Sequence, residues 1–193
     1  MFESGFPAGI WESVRRVEER ISRETYRQVR VGVSEERCRW DLESGTVIEF
    51  PYRIWFCDDL AAGTGFSEVE RMVYDCIFSR SCDGFVRERH IREILKGEFP
   101  EWAFPYVVKV CDEYVMEILE SVYEGLRDRD NTEIQRFCSH NLKQFLYGYD
   151  RMISYWNEFY RDRCKNYRDY IGRKLYMECL GYSRSMERMR YNR

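Results

Sequence analysis

The chain has 193 residues, of which 44% are hydrophobic and 17% aromatic, with a net charge of −3. This length can bury a core without disulfides or metal, so we predict a single domain over residues 1–193. The charge is uneven: residues 131–193 carry 13 basic and 7 acidic side chains, which leaves the first 130 residues with −9. This predicts halves that attract each other, or a basic surface for an acidic partner or nucleic acid.

Eight cysteines are scattered along the chain without C-x-x-C spacing, and there are 2 histidines. This usage fits neither a disulfide scaffold nor a structural zinc site, so we expect mostly buried free thiols, no metal and no cofactor. The N-terminal stretch lacks the basic and apolar regions of a signal peptide, and no run of roughly 18 apolar residues predicts a membrane span. We therefore expect a cytoplasmic protein.

The N-terminal third mixes one helix with a β-hairpin region. Apolar residues three and four apart predict an amphipathic helix over residues 8–27. Alternating apolar residues within 29–57 predict a hairpin, with strand 37–42 paired to strand 46–56. Pro51 has no N–H to donate, so this strand should be at an edge or bulged there.

Helical periodicity dominates from residue 67 to residue 181. Ser67 followed by Glu70 predicts a capping box at the start of this helical core. The broad apolar face of 102–126 predicts one long central helix. Residues 182–193 should form a flexible tail. The predicted fold class is thus mainly α: an irregular helical bundle with a small N-terminal β-hairpin.

A heptad pattern of large apolar residues marks the second half of the chain. This seam comprises Cys138, Leu142, Phe145, Tyr149, Met152, Trp156 and Phe159. Aromatic rings fit poorly into a two-stranded coiled coil, so we interpret the seam as the inner face of an intramolecular bundle. A homodimer through the seam is the alternative.

The stretch from Cys76 to Arg87 resembles the turn region of HEAT-type helical repeats, and the resemblance covers residues 67–97. It implies a helix pair in which Asp83 caps the second helix and Arg87 bonds a nearby carboxylate or carbonyl. The same signature does not recur about 40–47 residues later, so a HEAT-like pair is expected rather than an array. The chain as a whole is also similar to an uncharacterised bacterial family, which implies no activity.

We find no catalytic motif by linear spacing. His90 has Glu93 or Glu117 as conceivable partners, but no motif links them, and we expect a packing or surface histidine. Cys138 and His140 are two apart on a predicted helix and face away from each other, which excludes a Cys–His pair. Asp112, Glu113 and Glu117 are expected to form salt bridges with the basic C-terminal half.

The best candidate for a binding surface lies within residues 159–176, where basic residues alternate with tyrosines. Its predicted members are Tyr160, Arg161, Arg163, Lys165, Tyr167, Arg168, Arg173 and Lys174. Such a pattern can hold phosphates and stack on unpaired bases, but Asp162 and Asp169 interrupt it and the pI of about 5.6 is low for a nucleic-acid binder.

These patterns favour a non-enzymatic interaction or scaffold protein that binds another protein through a helical surface. A nucleic-acid-associated protein using residues 159–176 is the alternative. A third reading is an enzyme whose site is assembled from residues distant in sequence.

Overall fold

A computed structural model describes residues 1–22, 31–59 and 63–190, without the side chain of Arg190. Its fold is mainly α with two short antiparallel sheets near the N-terminus, which confirms the predicted class. The residues group into two compact units, Met1–Ala103 and Phe104–Arg193. In the described ranges, no helix has the length and apolar character needed to cross a membrane.

The first unit begins with helix α1, Trp11–Arg20, preceded by a 3₁₀ turn at Ala8–Ile10. Its inner face buries Val14 and Val17 completely, as the apolar spacing predicts. The helix ends at Arg20, earlier than the predicted residue 27, and residues 23–30 lie outside the described ranges.

Four short strands follow: β1 Gly32–Val33, β2 Arg37–Asp41, β3 Val47–Pro51 and β4 Ile54–Trp55. Strands β2 and β3 form the predicted antiparallel hairpin, with Gly45 at φ 81° in its turn, a backbone conformation that favours glycine. The predicted strand 46–56 is interrupted after Pro51, which pairs with Arg37 at the sheet end. Its remainder, β4, pairs with β1 instead.

Helices α2 (Glu68–Phe78) and α3 (Gly84–Ile94) form the pair for which we noted a HEAT resemblance. The capping box is present: Glu70 N donates to Ser67 Oγ (3.2 Å), and Ser67 N donates to Glu70 Oε2 (2.8 Å). Asp83 caps α3, and Arg87 donates to the carbonyl of Ser81 (2.9 Å). The local contacts agree with the prediction, while membership of the HEAT family stays a prediction.

The second unit contains two helices where the sequence predicted one over 102–126. These are α4, Phe104–Val110, and α5, Met116–Leu126. The prediction of one long helix is wrong because a turn follows Val110, closed by a tight bond from Cys111 N to the carbonyl of Val108 (3.1 Å). Apolar side chains on both sides of this turn are buried, so the apolar pattern does not reveal the break.

The seam spans two helices, α6 (Thr132–His140) and α7 (Leu142–Tyr155), followed by a π-helical turn at Trp156–Tyr160. Asn141 separates them: its backbone, at φ −99° and ψ 40°, leaves the helical conformation, and its buried side chain donates to the carbonyl of Phe137 (3.1 Å). Seam residues from Cys138 to Met152 are buried, whereas Phe159 is 54% exposed.

The C-terminal part contains a 3₁₀ turn at Tyr167–Asp169, the short helix α8 (Ile171–Lys174) and a second π-helical turn at Leu175–Cys179. Three short helical elements therefore follow one another over residues 167–179. Helix α9, Arg184–Arg190, lies in the segment predicted as a flexible tail, and the hydroxyl of the buried Tyr182 donates to Glu187. The core of this unit includes Val107, Ile118, Leu119, Val122, Phe145, Met152 and Leu175.

Candidate interaction surface

The predicted basic segment forms a well-braced loop rather than a continuous helix. We call residues 161–169 the basic loop. Backbone bonds close the π-helical turn onto it, with Cys164 N donating to the carbonyl of Tyr160 (2.8 Å). Trp156 Nε1 donates to the carbonyl of Cys164 (3.0 Å). Asn166 accepts from Arg168 N (3.2 Å) and donates to Asp169 Oδ2 (2.8 Å), which fixes the loop's second half.

The tyrosines of this segment serve mainly to hold the loop. Tyr160 and Tyr167 each stack against the buried Tyr170, with ring centroids 5.9 and 6.5 Å away. Their hydroxyls are also engaged: Tyr160 donates to the carbonyl of Tyr114, and Tyr167 donates to Tyr149 (3.2 Å). Burial raises the pKa of the Tyr167 phenol well above its usual value. These rings are therefore committed to internal packing.

The basic side chains of the loop, unlike the tyrosines of this segment, face solvent. Arg161, Arg163, Lys165 and Arg168 are exposed. Within the described part of the chain, none of the four side chains makes a hydrogen bond or salt bridge. Arg173 and Lys174, the other predicted members, are half-buried on α8, and Arg173 lies over the Tyr167 ring at 6.0 Å. The structure thus keeps four of the six predicted cations as free surface charge.

A group of exposed aromatic rings includes Phe159, which lies two residues before the basic loop. Tyr114, Tyr155 and Phe159 contact one another, with centroids 5.9, 5.9 and 6.1 Å apart. Tyr114 is 51% exposed and Phe159 54% exposed. Together with Tyr147, which is 57% exposed, we call these residues the aromatic patch. Clusters of aromatic side chains with this degree of solvent exposure are typical of binding sites.

Arg151 joins the aromatic patch to the interior of the unit. Its guanidinium lies over the rings of Tyr147 and Tyr155 at 5.9 and 5.8 Å. It donates to the Tyr155 hydroxyl (3.1 Å), and its Nε lies 3.9 Å from Asp112 Oδ2. An arginine held by two rings and a buried carboxylate is rigid, which suits a binding surface because little side-chain entropy remains to be lost.

Beneath the patch, Asp112 is buried and also pairs with Lys109. The predicted salt bridge of Asp112 to the basic half of the chain is therefore present, through Arg151. Glu113 is buried beside it, while Glu117 is exposed. Gly148 allows Tyr176 to approach closely, since a Cβ there would lie 2.9 Å from the Tyr176 hydroxyl. Asp112 and Tyr176 therefore pack closely against α7, the helix that carries Arg151.

In the first unit, His90 lies between two aspartates. Its Nδ1 is 2.6 Å from Asp75 Oδ1, and its Nε2 is 2.8 Å from Asp58 Oδ2. Asp58 also accepts from the Tyr74 hydroxyl (2.8 Å) and pairs with Arg89. The sequence analysis named neither aspartate: α2 supplies Asp75 and the 57–59 segment supplies Asp58.

This cluster is a site assembled from distant residues, but it is closed. The side chains of His90 and Asp58 are each 3% exposed. Burial raises the pKa of the Asp75 carboxyl, and the hydrogen bond from His90 opposes that rise. With both ring nitrogens occupied by carboxylates, the imidazole has no free nitrogen to act as a general base. The cluster links three segments of the first unit.

Other sequence candidates remain apart. Cys138 is buried and His140 exposed, in agreement with the prediction that they do not form a catalytic pair. All eight cysteines are free thiols. Among the described residues, no group of three or more histidine, cysteine, aspartate or glutamate side chains is placed to hold a metal ion.

Sequence reasoning missed the aromatic patch, although part of its signal was present. Tyr147, Arg151 and Tyr155 are four residues apart and therefore share a face of α7. The buried heptad seam gives a stronger periodic signal along the same helix than this second stripe does. Tyr114 carried no such signal, because the turn between α4 and α5 places it there. No model of a protein family, no curated protein and no solved structure matches this chain.

Proposed function

We propose that this protein is a non-enzymatic interaction protein that binds a partner protein through the aromatic patch and Arg151. The observation that carries the proposal is the group of three contacting rings, Tyr114, Tyr155 and Phe159, two of which are more than half exposed. Tyrosine and arginine are enriched among residues that dominate binding energy at protein interfaces. Exposure of such rings to water is unfavourable, and a partner that covers them removes that cost.

The other readings have less support. An enzyme assembled from distant residues would have its best candidate in Asp58, Asp75 and His90, but this cluster is buried and its imidazole is fully bonded. A nucleic-acid site over 159–176 would need rings free to stack on bases, whereas Tyr160 and Tyr167 pack on Tyr170.

Two further parts of the proposal concern assembly and location. The seam residues from Cys138 to Met152 are buried within a single chain, which favours an intramolecular role over a homodimer through the seam. Eight free thiols support a reducing compartment, and we propose the cytoplasm.

Peptide selection tests the function directly. A random peptide library is selected against the immobilised full chain, and the affinities of the selected peptides are measured for wild type, Tyr114→Ala and Phe159→Ala. Loss of an interface anchor costs about 2 kcal/mol, so each substitution should weaken binding by about 30-fold.

Phe85→Ala serves as the matched control, because Phe85 is 84% exposed on the first unit and contacts no other aromatic ring among the described residues. It should leave the affinity unchanged. Selected peptides that bind Phe159→Ala and Tyr114→Ala as tightly as wild type would show that the patch is not the binding site. A library that yields no binder would count against the function itself.

A further inference from the structure

We infer that the partner segment bound by the aromatic patch is acidic, and that the basic loop selects it by pairing Arg161, Arg163, Lys165 and Arg168 with carboxylates. This inference rests on the proposed function and names the chemistry of its partner. It concerns a segment that carries both an apolar anchor and several aspartate or glutamate residues.

The cations of the basic loop are not neutralised by ion pairs with the residues that the structure describes. Residues 161–169 carry four cations against Asp162 and Asp169, and Asp169 already accepts a bond from Asn166. The cations have no bonded partner in the described part of the chain. Lys109 and Arg151 of the same unit instead share the buried Asp112. Unpaired like charges on one short loop repel each other, and carboxylates from outside relieve that repulsion.

The loop and the patch are continuous along the chain. Phe159 belongs to the patch, and Arg161 opens the loop two residues later. Between them, Tyr160 ties the two together through its bond to the carbonyl of Tyr114. Consecutive Cα atoms are about 3.8 Å apart, so a short extended segment anchored on Phe159 reaches the first cations of the loop. One peptide can therefore contact both features.

The loop is also held in shape before any partner arrives. Trp156 bonds the carbonyl of Cys164, and Asn166 bonds both Arg168 N and Asp169. Because the backbone is already ordered, binding loses little conformational entropy there. Exposed ion pairs are individually weak, so several on one fixed loop are needed to produce a preference.

An acidic protein segment fits this surface better than a nucleic acid. The exposed Asp162 would repel a continuous phosphate chain but can be avoided by separate carboxylates. The rings that alternate with the cations, Tyr160 and Tyr167, are occupied by Tyr170. The open ring of Phe159 immediately precedes the loop along the chain, which suits a segment with an apolar anchor next to acidic residues.

The test compares two versions of one selected peptide, the first with its aspartates and glutamates and the second with asparagine and glutamine in their place. Wild type should bind the acidic version about tenfold more tightly at low salt, and the difference should shrink as salt is raised. The double variant Arg161→Glu/Arg163→Glu should abolish the preference.

The control Arg184→Glu/Arg188→Glu changes the net charge equally on α9 of the same unit and should retain the preference. Phe159→Ala should weaken both peptides. If Phe159→Ala weakens both but wild type shows no preference, the acidic-partner inference fails while the proposed function stands. If Phe159→Ala affects neither peptide, the proposed function fails.

Two further measurements use the same variants. The first measures the binding of polyuridylate RNA. If this RNA binds wild type more tightly than the acidic peptide does, and its binding is abolished in Arg161→Glu/Arg163→Glu, that result would overturn the inference in favour of nucleic acid. Light scattering that shows a dimer, converted to monomer by the same variant, would overturn it in favour of a second copy of the chain. A wild-type protein that is monomeric and does not bind the RNA supports the acidic-partner inference.

Discussion

Replacing His90 with leucine should destabilise the first unit more than an ordinary core substitution. The ring bonds Asp75 (2.6 Å) and Asp58 (2.8 Å), and the side chain of Asp75 is only 5% exposed. Asp58 keeps its contacts with Arg89 and Tyr74, whereas Asp75 would lose its imidazole partner. Leaving a buried acceptor without its hydrogen-bond partner costs about 1–3 kcal/mol, and more when it is charged, so we expect a loss of about 3 kcal/mol.

Urea unfolding followed by circular dichroism measures this loss, and a second substitution identifies its cause. If the cost comes from a buried carboxylate left without its partner, Asp75→Asn should recover part of it, and the double variant should be more stable than His90→Leu alone. A double variant less stable than His90→Leu would refute this reasoning. So would a loss below about 1 kcal/mol for His90→Leu, which is ordinary for a single substitution.

The pH dependence gives an independent check on the same variant. Burial raises the pKa of Asp75, so the folded protein keeps a proton on this carboxyl at higher pH than the unfolded chain does. Ionisation therefore destabilises the fold as pH rises from the unfolded pKa through the folded pKa. His90 lowers this cost by bonding the carboxylate. The stability difference between wild type and His90→Leu should shrink when the pH is lowered towards 4, near the unfolded pKa of Asp.

Two other substitutions test local features by the same unfolding assay. Ser67→Ala removes the capping box of α2 and should cost about 1 kcal/mol, and no measurable loss would contradict the assigned cap. Gly148→Ala places a Cβ 2.9 Å from the buried Tyr176 hydroxyl and should cost about 1–3 kcal/mol. At Gly97, no described residue other than its chain neighbours lies within 4 Å of the added Cβ. Gly97→Ala should therefore cost less, and equal losses would contradict the crowding argument.

The elements that were predicted correctly are those whose formation is determined by residues close together in the sequence. The hairpin of β2 and β3 follows from alternation, and the start of α2 follows from Ser67 and Glu70. The breaks inside predicted helices have weaker signals. Asn141 stands within an apolar heptad pattern, and the break there is visible only in its backbone angles (φ −99°, ψ 40°) and in the bond from its side chain to Phe137.

The candidate surface was predicted in its charges but not in its rings. Exposure of Arg161 and Lys165 follows from their chemistry, since such side chains are rarely buried without a partner. Whether a tyrosine faces inward or outward depends on neighbours from other helices. Tyr167 and Tyr114 look alike in sequence, yet one packs beside Trp156 and Tyr170 while the other is half open.

The basic loop is built from two separate sets of residues. Trp156, Asn166 and Tyr170 hold its shape. Its four cations carry its charge, and their side chains make no hydrogen bond or ion pair with the described residues. Substitutions in the second set can therefore change the charge of the surface while leaving its backbone in place. A lineage could redirect this protein to a new partner by exchanging a few exposed side chains, with almost no loss of folding stability.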